Sequence, residues 1–247
     1  MEKRNLENVK YTAKENYKKS EPWPDDDIWH LYTHKILHKN VQSYLNKLNL
    51  DDTQIVLNAG CGKTTYDTNA TIIYMDIVEK YVECFENYLV GSIEQIPLHD
   101  NSADCIICVG SVINYADIQK SISEFSRILK PTGVLILEFE RSNSAEFLFT
   151  PNYGKTIFMQ KYNYNNQTHY LWMYNEKFVL QLAAYYQLTC EKIYRYHCIS
   201  SLFFRLGVSE KKAAKYSKLD NFTQPFSRFF AHNEIVILKK SGFYELS

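Results

Sequence analysis

The chain has 247 residues with 28 basic and 28 acidic side chains, a length suited to one α/β domain and a balance that favours neither nucleic acid nor an anionic membrane. No secretory signal is expected from the charged start Met1-Glu2-Lys3-Arg4, and no run approaches the roughly 20 apolar residues that span a bilayer. Six cysteines, at 61, 84, 105, 108, 190 and 198, read as unpaired and reduced, which predicts a cytoplasmic protein.

Residues 1–24 are charged, dotted with tyrosine and end in Pro22-Trp23-Pro24, so they are expected to form an arm or lid. Asp25 to Asp27 give an acidic start to a long helix reaching about Leu48. On that helix His30, His34 and His38 fall four residues apart and prolong the face of Leu37, Val41, Leu45 and Leu48. Its start is therefore expected to overlook a pocket, where His30 or His34 can accept a proton. The alternative is a set of polar residues on a helix surface. A metal would need carboxylate or sulfur partners that the sequence does not place, so none is expected.

Strand-like runs follow at 55–57, 72–75, 105–109 and 134–137. Each is nearly continuous in apolar residues, the pattern of strands covered on both faces. Cys105 and Cys108 lie in one of them, where a period of two sends their side chains to opposite faces and argues against a zinc knuckle. Ile118, Ile122, Phe125 and Leu129 have helical spacing, and Pro131 is expected to stop that helix. Strand and helix in alternation predict an α/β fold with a doubly wound sheet.

The second half changes rhythm. Residues 156–174 predict a hairpin turning near Asn163 to Gln167. A helix over 176–186 capped by Asn175, a strand at about 189–198 and a last strand over 234–238 follow. Between them Phe203, Phe204, Phe222, Phe226, Phe229 and Phe230 alternate with a basic stretch, Lys211, Lys212, Lys215 and Lys218. The lysines read as a solvated face or a lid, and the phenylalanines as a pocket wall or a homodimer interface.

The densest information lies at Ile55-Val-Leu-Asn-Ala-Gly-Cys-Gly62. A β-branched run that ends in Gly60-x-Gly62 is a strand stopping so that backbone can come close to a ligand. The next run ends on Asp76, where an acid holds a ribose hydroxyl pair. Together they predict a nucleoside-containing cofactor across the carboxyl edge of a parallel sheet. Gly62-Lys63-Thr64 imitates the end of a phosphate loop, but Leu57 stands where its first glycine belongs. The dinucleotide fingerprint fails at Thr65. A cofactor without phosphates fits better.

Leu57 to Gly62 resembles motif I of the class I S-adenosylmethionine-dependent methyltransferases. Asp76 matches that family's ribose acid, and Gly91-Ser92-Ile93-Glu94 through Pro97-Leu98 to Asp104 is similar to its stretch around the adenine. Glu124, Arg127, Lys130-Pro131 and Gly133 match the helix and turn ahead of the next strand. The resemblance covers about residues 52–141 and implies a mostly parallel seven-stranded, Rossmann-like methyltransferase sheet. It also implies S-adenosylmethionine as cofactor, contacted by Asn58, Ala59, Gly60, Gly62, Asp76, Ile77, Ser92, Ile93 and Gly110. Tyr11, Tyr17 or Trp23 is expected to close over that end. Three departures stand out: Asn58 replaces the motif I acid, Ser92 replaces the adenine-side acid, and the chain from Gly62 to Asp76 is too short for the usual crossover helix.

In domain terms, residues 1–50 are then an arm and helix capping the site. Residues 51–247 form the methyltransferase domain, with insertions at about 142–174 and 200–230. The implied activity is methyl transfer to a small molecule, with Asn114, Tyr115 and His34 on the acceptor side. No DNA and no membrane partner is expected; the signature of nucleobase amino methylation, Asn or Asp before Pro-Pro-aromatic, is absent. The alternatives are an RNA or protein methyltransferase working through the basic aromatic lid, and a binding or regulatory module without catalysis.

Overall fold

The computed structural model describes residues 2–21, 23, 28–164, 167–223 and 226–242. The expected acidic helix start at Asp25 to Asp27, the tip of the turn after Asn163 and the side chain of Phe222 lie outside the described residues.

Two helices come first, α1 (Glu2–Lys19) and α2 (Ile28–Leu48). The first half of the sheet follows as β1 (Ile55–Ala59), β2 (Thr71–Asp76), β3 (Tyr88–Val90) and β4 (Ala103–Cys108). Helix α3 (Ile118–Ile128) leads into β5 (Leu129–Glu140). The later elements are a hairpin of β6 (Ile157–Tyr164) and β7 (Gln167–Tyr174), then α4 (Glu176–Tyr185), β8 (Leu188–Tyr196), short helices α5 (Cys198–Arg205), α6 (Glu210–Ala213) and α7 (Ser227–Phe230), and β9 (Asn233–Lys240).

The main sheet has seven strands in the order β3-β2-β1-β4-β5-β9-β8. Pairing is parallel from β3 to β5, and β9 runs antiparallel between β5 and β8. The winding reverses between β1 and β4, and ligands of such sheets bind off the carboxyl ends of the strands at that point.

Both faces are covered, which is why the strands read as continuous apolar runs. On one face Leu57, Ile106, Leu135 and Leu137 pack with Ile122 and Phe125 of α3 and Val179 of α4. On the other, Val56, Ile107, Ile136 and Ile237 pack with Leu37, Val41 and Leu45 of α2. Each of those three α2 side chains is at most 2% exposed, and burying a side chain of that size stabilises by about 1.5–3 kcal/mol. Cys108 joins the first layer and Cys105 the second, as the strand period requires. All six cysteines are free.

No helix connects β1 to β2: residues 61–70 are turns, bends and irregular chain. The helix layer that a crossover would supply there comes from upstream, as α2. Asp117 caps α3 by accepting from the backbone of Gln119 and Lys120. The helix ends at Ile128, before Pro131, because Leu129 already takes extended dihedrals and the strand starts there. The three-residue β3 was not expected from sequence; it is too short to carry a pattern. The basic stretch is α6 plus a 3-10 run, Ala214–Thr223, with Ala213, Ala214 and Ser217 inward and the four lysines exposed.

Candidate active site

Strand β1 stops at Ala59 because Gly60 (φ 71°) and Gly62 (φ 52°) turn the chain through the left-handed region. A Cβ on Gly60 would fall 2.5 Å from Val112 Cγ1, so only glycine lets the loop after β4 sit this close. Gly60→Ala combines that overlap with a left-handed backbone and is expected to cost about 2–4 kcal/mol. A drop in the urea midpoint without a change in slope would register it; unchanged stability would contradict the fit.

Asp76, at the end of β2, is 8% exposed. Its Oδ2 accepts from Gly62 N at 2.9 Å and its Oδ1 from Val78 N at 2.8 Å, so one carboxylate ties both loops together. Burial pushes its pKa up, and the backbone donors oppose that shift. Asn58 is turned by a hydrogen bond from its Nδ2 to Thr64 O at 3.0 Å, which directs the amide oxygen away from that loop. The stretch after Gly91 is held by α3: Glu124 accepts from Ile96 N at 2.8 Å, and Arg127 donates to Ile96 O and Leu98 O at 2.9 and 2.8 Å. Ser92 Oγ accepts from Glu94 N at 3.3 Å within that loop.

Gly110 (φ 88°) follows β4, and its N–H and that of Ser111 donate to Glu138 Oε2 at 2.9 and 2.6 Å. Glu138 is fully buried, and its other oxygen accepts from Tyr196 OH and Asn233 Nδ2. Trp23 covers Gly110, with ring carbons 3.3 and 3.5 Å from where a Cβ would stand. The indole stacks on His34 with centroids 4.8 Å apart and donates to Thr64 Oγ1 at 3.3 Å. Burial lowers the His34 pKa.

These groups form one end of a cavity of about 590 Å³. Asn58, Gly60, Gly62, Asp76, Ile77, Ser92, Ile93, Gly110, Trp23 and His34 all line it. The other end is built by elements without a recognisable motif: Trp29 and His30 of α2, Tyr115, Glu140 of β5, Glu146, Tyr162 and His169 of the hairpin, Phe204, Glu210 and His232. Helix α1 runs across the mouth. Asn16 donates to Thr168 O at 2.8 Å on the hairpin side, while Lys80 Nζ donates to Lys18 O at 2.9 Å and Tyr81 OH to Ser20 O at 2.6 Å on the other.

Three sequence expectations are corrected. Tyr11 is 67% exposed and off the cavity, because Lys10, Ala13, Lys14 and Tyr17 make up the inward face of α1 and Tyr11 points away from it. Ala59 packs into the core beneath the sheet edge instead of lining the cavity. Asn114 is fully buried as a clamp: its Nδ2 donates to Glu140 O and Trp172 O at 3.2 and 2.6 Å, and its Oδ1 accepts from Glu140 N at 3.1 Å. Its neighbour Tyr115 is the cavity residue. Tyr115 OH lies 3.2 Å from His169 Nδ1 and 3.4 Å from Tyr17 OH.

His169 was missed, although β7 held a signal: alternation places it on the same inward face as Leu171 and Met173. Burial pushes its pKa down to about 4, so the imidazole is neutral at pH 7. Among the described residues no group of three or more His, Cys, Asp or Glu side chains is arranged to hold a metal ion. Nor is any described helix long and apolar enough to cross a membrane.

Residues 57–137 match the model of the family described as methyltransferase domain. The chain is 29% identical over 93 residues to the malonyl-acyl-carrier-protein O-methyltransferase of Yersinia pestis, covering 33% of this chain and 35% of that one. It is 38% identical over 56 residues to the ubiquinone/menaquinone biosynthesis C-methyltransferase UbiE of Pasteurella multocida, 22% of this chain and 21% of that one. The matches thus span about a third or less of these relatives.

Among solved structures, the fold is similar to the 1,6-didemethyltoxoflavin-N1-methyltransferase of Burkholderia thailandensis, with a TM-score of 0.57 at 11% identity over 94% of this chain and 88% of that one. It is also similar to the geranyl diphosphate C-methyltransferase of Streptomyces coelicolor, with a TM-score of 0.54 at 13% identity over 82% and 80%. The fold is that of the class I S-adenosylmethionine-dependent methyltransferases. Within it, the segment that matches the methyltransferase-domain family is residues 57–137.

Proposed function

We propose that the chain transfers a methyl group from S-adenosylmethionine to a small-molecule acceptor. The observation that carries this reading is one continuous cavity of about 590 Å³ that joins the glycine edge and Asp76 to a wall of unrelated polar groups. That volume falls within the range of small-ligand sites. The residues at the glycine end fit the cofactor: Asp76 offers a buried carboxylate to a ribose, Asn58 an amide oxygen to an ammonium, and Ser92 with Ile93 a polar and an apolar edge to a purine. The uncharged Asn58 and Ser92 weaken the electrostatic hold without removing acceptors.

When bound, S-adenosylmethionine supplies an electrophilic methyl group on a sulfonium, so that attack by the acceptor's lone pair releases S-adenosylhomocysteine. The protein has to align the attacking atom and take up a proton where the acceptor loses one. Neutral His169 can accept the Tyr115 hydroxyl proton at Nδ1, which leaves the Tyr115 oxygen to receive a hydrogen bond from the acceptor. Trp23 and α1 close the mouth and exclude water from the alignment. The roof also favours a small acceptor over RNA or protein. Lys211, Lys212, Lys215 and Lys218 are exposed and do not line the cavity, which supports the small-molecule reading.

Thermal unfolding with S-adenosylmethionine and S-adenosylhomocysteine tests the cofactor, followed by release of labelled methyl groups to an acceptor panel. A saturable rise in midpoint supports the reading, and no rise at millimolar nucleoside overturns it. His169 adds a test of its environment. Its pKa drops from an ordinary 6.5 to about 4 on folding, so the stability it contributes is present above pH 6.5 and lost as the pH falls toward 4. The melting temperature of the unmodified protein is therefore expected to fall more steeply over that window than that of His169→Gln. Parallel curves would mean that the ring is not held neutral by burial.

A further inference from the structure

The acceptor end brings two largely buried carboxylates to one imidazole ring. Glu140 ends β5 and Glu146 lies in the 3-10 turn Ala145–Phe147; both line the cavity. His232 stands between the two, with Nε2 3.2 Å from Glu140 Oε2 and Nδ1 3.3 Å from Glu146 Oε2. Burial works to lower the His232 pKa, and Glu140 and Glu146 more than offset it; burial in turn pushes the Glu146 pKa up, and the ring offsets that only in part. Tyr162 OH donates to both Glu146 oxygens, at 3.1 and 3.0 Å, and adds a dipole rather than a charge. His34 and His169 are pushed toward neutrality by burial, whereas His30, which shares the wall, joins His232 in holding the Glu140 pKa down against burial. Of the lysines that line the cavity, Lys10 is paired with Glu94 at 2.7 Å, Lys14 sits on α1 and Lys161 is exposed on the hairpin.

A second, independent feature lies on β9. Asn233 is 3% exposed, lines the cavity and faces Glu140 directly in the β5–β9 pairing. Its Nδ2 donates to Glu138 Oε1 at 2.7 Å, and turning the amide round would set its oxygen against that carboxylate oxygen. Its Oδ1 is thereby committed as an acceptor. That oxygen is buried and has no hydrogen-bond partner among the described residues. A buried acceptor beside a carboxylate whose charge is only partly compensated calls for a donor from outside the chain.

We propose that the acceptor end takes a small organic cation bearing N–H donors, an amine. Its N–H groups meet Asn233 Oδ1 and the carboxylates of Glu140 and Glu146, and its apolar body lies against Trp29, Tyr162 and Phe204. Aromatic faces attract such cations as well as apolar surface. This deepens the methyltransferase reading by naming the acceptor class, and it rests on that reading for the location of the cofactor end.

The test is calorimetric titration of the full chain with two trios of equal skeleton and different charge: tyramine, tyrosol and 4-hydroxyphenylacetate, and hexylamine, hexanol and hexanoate. Each is run with and without saturating S-adenosylhomocysteine. The amine of each trio is expected to bind at least about tenfold more tightly than its neutral and anionic partners. Glu146→Gln, which keeps an acceptor for Tyr162, is expected to erase most of that preference while leaving S-adenosylhomocysteine binding intact. Glu140→Gln serves the same purpose if the first variant does not fold. Equal or tighter binding of the alcohol or the acid, or no saturation by either amine at about 10 mM, would overturn the proposal. Failure of S-adenosylhomocysteine to bind would strike the cofactor reading instead, and the amine series without nucleoside would still decide this one.

Discussion

Asp76→Ala is expected to abolish the rise in melting temperature that S-adenosylhomocysteine should give the unmodified protein. A ligand at a hundred times its dissociation constant adds about 2.7 kcal/mol of stability, so the lost signal is large. The carboxylate accepts from Gly62 N and Val78 N and lines the cavity at the glycine end, where the proposed cofactor's ribose would lie. Hydrogen bonds to a charged group contribute about 1.5–3 kcal/mol each, which puts the loss of affinity at roughly a hundredfold or more. Asp76→Asn separates the two roles. It keeps one acceptor oxygen for the loops but loses the charge, so it is expected to fold better than the alanine variant and still bind nucleoside weakly. A saturable shift of unchanged size in Asp76→Ala would sink the assignment of this residue to the ribose.

Asn114→Ala is expected to damage the fold rather than the chemistry. The side chain joins three backbone groups, Glu140 N, Glu140 O and Trp172 O, inside the core where water cannot replace it. Truncation leaves those groups buried and short of partners, at about 1–3 kcal/mol apiece when nothing compensates. A loss of roughly 2–4 kcal/mol in urea unfolding is expected once partial relaxation is allowed for. The sequence reading made Asn114 a substrate-side residue, and the two roles predict opposite data. A variant of full stability and no turnover would restore the catalytic role; a destabilised variant with normal turnover per folded molecule supports the clamp.

What sequence could and could not reveal follows from how local each feature is. Gly60 and Gly62 were legible because a left-handed backbone after a buried strand is a nearest-neighbour property, and Asp76 because it ends the adjacent strand. Glu124 and Arg127 were matched by motif; their task, holding the loop at Ile96 and Leu98, needed the packed helix. His34 was placed from the period of α2 alone. The acceptor wall was not legible, because Glu140 with Glu146, His169 and His232 come from three separated stretches that meet only when β9 closes the sheet and the hairpin folds over it. Asn114 misled for the same reason. A polar residue just past a strand looks like a site residue until Trp172 arrives from the hairpin.

The helix layer under β1 and β2 has a consequence for where the chain can be cut. Because α2 is drawn from ahead of the glycine turn, the stretch 57–137 does not carry its own cover on that face. Starting the polypeptide at Asp51 would strip Leu37, Val41 and Leu45 from Val56, Cys105, Ile107, Val134, Ile136, Ile235 and Ile237, baring a continuous apolar slab. A fragment trimmed to the recognisable segment is thus an aggregating species rather than a minimal enzyme, and the leading residues are a folding requirement of the part that looks self-sufficient.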